Sequence, residues 1–238
     1  MMKKIATLLT MFILLVPHAT AAEGTYFGGK RVLVAYFSWG GNTQRLAEEI
    51  QRITGADLFR IEPVTPYPTD YTECTQVALA ERDSDARPAI ARAVEAWDDY
   101  DIVFIGCPVW WHTAPMIIST FAESYDFKGK TVVPFCTYAS TYRDETLQEI
   151  VDLTPDAAHL TGLGTRSGQT NGVEAWLDTI NKAWEENTHT TGIAKTVASA
   201  KQAGVVIRDL SGRIVNRDNV AHRVYIISKN GQSRKVMK

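Results

Sequence analysis

Apolar and polar positions alternate in blocks along this chain. Arg31-Val-Leu-Val-Ala-Tyr-Phe37 is a continuous β-prone run, the pattern of a strand buried on both faces. After it, Leu46, Ala47, Ile50 and Ile53 recur at helical spacing within Thr43–Ile53. Ala56–Ile61 reads as a second strand, Asp101–Cys107 as a third and Lys130–Cys136 as a fourth, with Pro134 predicting an irregularity in the last. Ala157–Leu160 is a weaker fifth. Helices are expected over Asp70–Arg82, Pro88–Trp97, Met116–Glu123, Asp144–Val151 and Val173–Trp184. Pro63, Pro66 and Pro68 force an irregular stretch ahead of the first of these. Strand alternating with helix predicts an α/β fold, a five-stranded parallel sheet with helices on both faces. Ligands of such sheets sit beyond the carboxyl ends of the strands.

The two ends depart from this rhythm. Met1-Met2-Lys3-Lys4 is basic, Ile5–Val16 is almost wholly apolar, Pro17 breaks the run, and Ala19-Thr20-Ala21 is a small-x-small pattern. Residues 1–21 therefore read as a secretory signal peptide, and the expected location is exported: periplasm, cell surface or medium. The apolar run is too short to anchor in a bilayer, so no transmembrane anchor is expected after cleavage. Residues 22–190 form the body. Beyond Trp184 the polar stretch Glu185–Gly192 reads as a linker, and residues 191–238 as a short C-terminal β extension. In it, Gly204–Val215 is a strand, a Ser-Gly turn and a strand, and Val224–Met237 is a hairpin around Asn230-Gly231.

Composition adds one thing. The chain has 238 residues, is 45% hydrophobic and carries only three Cys, which excludes a disordered chain or a disulfide scaffold. The net charge of -2 conceals an asymmetry. Residues 23–190 hold 25 acidic and 13 basic side chains, whereas residues 191–238 hold 2 and 10. An acidic body and a tail without a binding motif argue against a nucleic-acid partner.

Three loops at strand ends carry the candidate chemistry. Ser38-Trp39-Gly40-Gly41-Asn42-Thr43 joins a buried strand to a helix start. Two glycines, three side-chain donors and free helix N–H groups suit a terminal phosphate, or else form a plain capped turn. It lacks the Gly-Lys-Ser/Thr of a nucleotide-triphosphate loop. Pro108-Val109-Trp110-Trp111-His112-Thr113 places two adjacent indoles where they can flank a flat ligand. Thr137-Tyr138-Ala139-Ser140-Thr141-Tyr142 offers hydroxyls and rings to the same place. No side chain stands out as a general acid or base, and no metal-ligand spacing is present. Cys107 and Cys136 end neighbouring strands, where parallel pairing gives poor bridging geometry, so both are expected as buried free thiols.

Taken in order, these segments resemble one family. Tyr36–Thr43 resembles the phosphate loop of flavodoxins. Tyr100–Pro115 is similar to the flavin-ring loop of a bacterial flavodoxin-like group, and Tyr125–Lys130 with Pro134–Thr137 continues the likeness. The resemblance covers about residues 31–185 and implies non-covalent FMN on the five-stranded flavodoxin fold. It implies that Ser38, Gly40, Gly41, Asn42 and Thr43 hold the phosphate. Pro108, Val109, Trp110, Trp111 and Thr113 would line one side of the ring, and Thr137, Tyr138, Ala139 and Ser140 the other. Related sequences carry Gly where His112 stands and a smaller third loop. A Cβ at these places would crowd the ring or block a backbone flip. The implied role is electron transfer to a redox partner protein. The alternatives are an FMN-dependent NAD(P)H:quinone-type reductase with a small-molecule acceptor, and an exported binding module that has lost the flavin. An acidic body would steer a basic partner. Asp209–Arg213, Val224–Ile227 and Lys235–Lys238 resemble C-terminal sorting tails of exported Bacteroidetes proteins, which outer-membrane secretion machinery reads.

Overall fold

The structure is a computed structural model that describes residues 26–201, 206–209, 224–229 and 232–237. The expected signal peptide, the 210–223 segment and the Asn230-Gly231 turn lie outside the described residues. The body is a parallel sheet in the order β2-β1-β3-β4-β5. Its strands are β1 (Val32–Tyr36), β2 (Asp57–Arg60), β3 (Ile102–Pro108), β4 (Thr131–Tyr138) and β5 (Ala158–His159), with β6 (Leu163–Arg166) also on β4. Between them run α1 (Asn42–Thr54), α2 (Tyr71–Asp83), α3 (Met116–Glu123) and α4 (Arg143–Asp152), and α5 (Val173–Lys201) follows. The expected α/β sheet is thus present, with its crossovers.

The strands are apolar throughout because both faces are covered. Leu33, Ala35, Phe37, Val103 and Ile105 face one core with Ile117, Ile118 and Phe121 of α3. Val32, Val34, Tyr36, Ile102 and Phe104 face the other, against Leu46 and Ile50 of α1 and Leu177 and Ile180 of α5. The period of two along each strand divides these sets. Burying each such side chain contributes about 1.5–3 kcal/mol. α1 stops at Gly55, which sits at φ +72 and donates its N–H to Gln51 O, the usual left-handed stop. α2 starts on Asp70, whose carboxylate accepts the Glu73 N–H at 2.9 Å.

Three expectations need correction. The Pro88–Trp97 segment forms no α-helix, and only its last residue enters a short 3-10 turn, Trp97–Asp99. Ile90 instead makes a β-bridge with Pro63, and the Val94 N–H donates to Tyr125 Oη at 2.7 Å. These tertiary contacts override helix propensity. The fifth strand is two pieces, because its neighbour carries Pro134. β5 pairs Thr131 and Val132 while β6 pairs Phe135–Tyr138, so Pro134, which has no N–H to donate, falls in the gap of the ladder. Gly162 crosses there so closely that a Cβ would lie 2.8 Å from Pro134 O. Toward β3 the pairing is continuous, Ile105 with Pro134, so the irregularity expected at Pro134 is confined to the other edge of β4. The Glu185–Gly192 linker is helix, since α5 runs through it to Lys201 and across the 190/191 boundary. In the tail, β7 (Val206–Asp209), β8 (Val224–Lys229) and β9 (Gln232–Met237) form an antiparallel sheet in that order, with the expected hairpin strands β8 and β9 adjacent.

Candidate functional site

The sheet order brings the ends of β1, β3 and β4 side by side. The three loops that leave them surround one cleft of about 670 Å³. Of the expected residues, Gly40, Asn42, Pro108, Val109, Trp110, Trp111, Thr137, Tyr138, Ala139 and Ser140 line it. Ser38, Gly41, Thr43 and Thr113 do not; they stand behind the lining and shape it. Buried Ser38 accepts the Gly41 N–H through Oγ at 3.1 Å. Gly41 holds φ +85, a conformation that glycine adopts without strain. No side chain caps α1, so its first N–H groups are open at the loop. A Cβ built on Gly40 or Gly41 meets nothing within 4 Å. That concave, uncapped, positive helix end fits a terminal phosphate.

A hydroxyl pair ties the first loop to the third. Thr43 Oγ1 and Thr137 Oγ1 are buried and 2.8 Å apart. Thr165 lies in register with Thr137, and its buried Oγ1 has no hydrogen-bond partner among the described residues. Next along, Gly168 packs against the first loop. A Cβ there, at φ +67, would lie 2.5 Å from Asn42 O. The second loop joins the third through the Val109 N–H, which donates to Thr137 O at 2.9 Å.

The second loop is a tight turn under strain. Trp110 and Thr113 exchange backbone hydrogen bonds of 3.0 and 3.1 Å. The two residues between, Trp111 and His112, both take positive φ, 46 and 75. Such a turn favours Asn-Gly, and each bulkier residue costs on the order of 1–3 kcal/mol. Packing holds it. Trp110 stands edge-on to Phe37 at 5.2 Å and to Tyr67 at 5.0 Å. The Trp111 indole donates to Thr75 O at 2.8 Å. Exposed His112 stacks on Tyr142 at 3.9 Å, so the Cβ-bearing residue leans across to the third loop. Tyr138 lies under the Arg166 guanidinium at 5.9 Å.

Behind the turn, Tyr67 donates to Glu81 Oε2 at 2.8 Å. Burial, then that hydrogen bond, pushes the Tyr67 hydroxyl far up, and burial also raises Glu81. The pair is a hydrogen-bonded strut between the proline-rich segment and α2. All three Cys are free and buried, as expected for Cys107 and Cys136, which sit in register across β3 and β4. Burial raises all three thiols, Cys136 to about 12, so none is a ready nucleophile.

Sequence reasoning missed two contributions. The first is Arg60. It pairs in register with Tyr36 and donates to Ser38 O at 3.2 Å, beside a loop with no cation of its own. Its place at the end of β2 was the available signal. The second is α2, whose Tyr71, Cys74, Thr75, Gln76 and Ala78 wall the cleft. Positions 71, 74, 75 and 78 are one helix face, but with Tyr exposed and Cys buried the stripe carries little hydrophobic contrast.

This architecture defines a class: an α/β protein with an uncapped helix end and an aromatic slot at the carboxyl edge of its sheet. A family model described as Flavodoxin matches residues 31–180, and the chain belongs to that family. Two Bacteroides proteins of solved structure, both presumptive flavoproteins, are similar. The one from Bacteroides eggerthii is 38% identical over 63% of this chain and 97% of that one, with a TM-score of 0.57. The one from Bacteroides uniformis is 33% identical over 63% and 99%, with the same TM-score. A Lactobacillus acidophilus flavoprotein solved in complex with FMN shares the fold at 23% identity, covering 62% of this chain and 98% of that one, TM-score 0.53. No curated protein matches the chain significantly.

Proposed function

We propose that the protein is an exported FMN-binding redox protein that receives electrons and passes them to a partner. FMN as the cofactor follows from family membership. The convergence of three loops on one cleft, with an uncapped helix end at one side and paired indoles at the other, carries the reading. Gly40, Gly41 and Asn42, braced by Ser38 and Thr43, would hold the phosphate. Val109, Trp110 and Trp111 would lie on one side of the ring and Tyr138, Ala139 and Ser140 on the other. The flavin supplies the redox chemistry when bound, and these residues bind it, orient it and limit water around it. Export rests on the basic-apolar-small pattern of residues 1–21, and delivery by outer-membrane machinery on the basic tail. Photoreduction of the FMN-loaded protein, followed by mixing with a basic one-electron acceptor protein, tests the transfer role. Rapid reoxidation that slows with salt supports it, and reoxidation no faster than that of free FMN contradicts it. The reductase reading has one observation in its favour: the cleft continues past the three loops onto α2.

A further inference from the structure

Charge is not spread evenly over this acidic body. At the amino edge of the sheet the cations are taken: Lys30 pairs with Asp101 at 3.0 Å, and Arg31 with Asp57 and Asp99, each at 2.8 Å. At the carboxyl edge two are not. Arg45, in the first turn of α1, donates to Ser167 O at 3.4 Å, and Arg166, at the end of β6, lies over the Tyr138 ring at 5.9 Å. Neither makes an ion pair among the described residues. Carboxylates near them are engaged elsewhere: Glu48 accepts from Gln44, Glu49 pairs with Arg52, and Asp144 with Arg143.

Both arginines are exposed and neither lines the cleft, yet each touches a residue that does, so they stand on its rim. A ligand inside the cleft meets Tyr138 and Ser167, whereas a surface laid across the mouth meets the guanidinium groups. On this side lie also Tyr142, an exposed ring, and His112 stacked on it. Arg and Tyr are the residue types that dominate protein interfaces. With its flat face on Tyr138, Arg166 keeps its N–H edge for a carboxylate, which the guanidinium fork can grip with two parallel hydrogen bonds.

We infer that Arg45 and Arg166, with Tyr138 and Tyr142, form a docking rim for a partner protein that presents carboxylates, and that this partner delivers electrons to the flavin. The inference rests on the redox reading above. The acceptor is the basic protein that the body as a whole attracts. The donor has the opposite charge and is held by the two local cations, whose field acts within about a Debye length, about 10 Å at 0.1 M salt. Two one-electron carriers are oxidised for each FMN reduced, and the flavin takes its protons from water.

The test is stopped-flow reduction of the FMN-saturated protein by a reduced plant-type [2Fe–2S] ferredoxin, an acidic one-electron donor of low potential. Reduction should slow as salt rises. In the double variant Arg45→Gln, Arg166→Gln it should be about tenfold slower than in the parent at low salt, and the two should converge at high salt. The double variant Lys128→Gln, Lys182→Gln removes the same charge from positions off the cleft and should stay within about twofold of the parent. Both should bind FMN within about threefold of the parent. Equal slowing in the two double variants would overturn the inference, because net charge alone would then act. So would a parent rate that is indifferent to salt, or a loss of FMN affinity that matches the loss of rate, which would make the arginines part of the flavin site. Cosedimentation with phosphatidylglycerol vesicles that depends on both arginines would overturn the protein partner in favour of a membrane. If the parent takes up no FMN, the redox reading fails first, and that result is distinct from all of these.

Discussion

The first and second loops of the cleft do related jobs by opposite means. The first turns through Gly41 at φ +85, where glycine is at ease. The second turns through Trp111 and His112 at φ 46 and 75, where neither residue is. The first is local: a glycine, a Ser38 hydroxyl on the Gly41 N–H, and an open helix end. The second is imposed from a distance by Phe37, Tyr67 and α2. Edge-to-face ring pairs contribute about 0.5–1.5 kcal/mol each beyond burial. Two of them with one indole hydrogen bond are the right size to offset the turn's strain. A binding surface can thus be written in residue type or in tertiary packing.

Substitutions can break or sharpen this contrast. Gly168→Ala should have the largest effect, because the added methyl meets the Asn42 backbone and φ is +67. It should cost about 3 kcal/mol of stability by urea melt and lower FMN affinity more than tenfold as the phosphate loop shifts. Next is Gly41→Val, which pushes a β-branched residue into the left-handed region. The loop escapes about 2 kcal/mol of strain by moving, and FMN titration should read a loss of about thirtyfold. Thr43→Val and Thr137→Val test the link between loops. Each alone strands a buried hydroxyl and should cost about 1–2 kcal/mol. The double variant should cost less than their sum, with a coupling near 1 kcal/mol in a urea-melt cycle. His112→Gly should be smallest, within about 0.5 kcal/mol of the parent, because relief of backbone strain offsets the lost Tyr142 stack and the added chain entropy. Additive costs in the cycle, or a His112→Gly variant that loses several kcal/mol, would contradict this division of the two loops.

The same contrast explains what the sequence made legible. β1 and β3 are unbroken apolar runs, and their burial on both faces leaves no other reading. The first loop stands out because Gly-Gly before a helix permits a tight turn onto an open helix end. Segment 88–97 was misread because its fate hangs on Pro63 and Tyr125, remote in sequence. β6 was missed because Gly164 within it and Gly162 just before it look like a turn, although Gly162 serves a close crossing over Pro134. The α2 wall went unseen because exposed and buried residues share one helix face. Legibility failed wherever a distant contact set the local geometry.

One measurement bears on the centre of the account: titration of the purified protein, residues 22–238, with FMN, followed by flavin fluorescence. The three-loop site predicts saturable quenching with submicromolar affinity, weakened by Gly41→Val. Fluorescence that stays at the free-flavin level at every FMN concentration would contradict it.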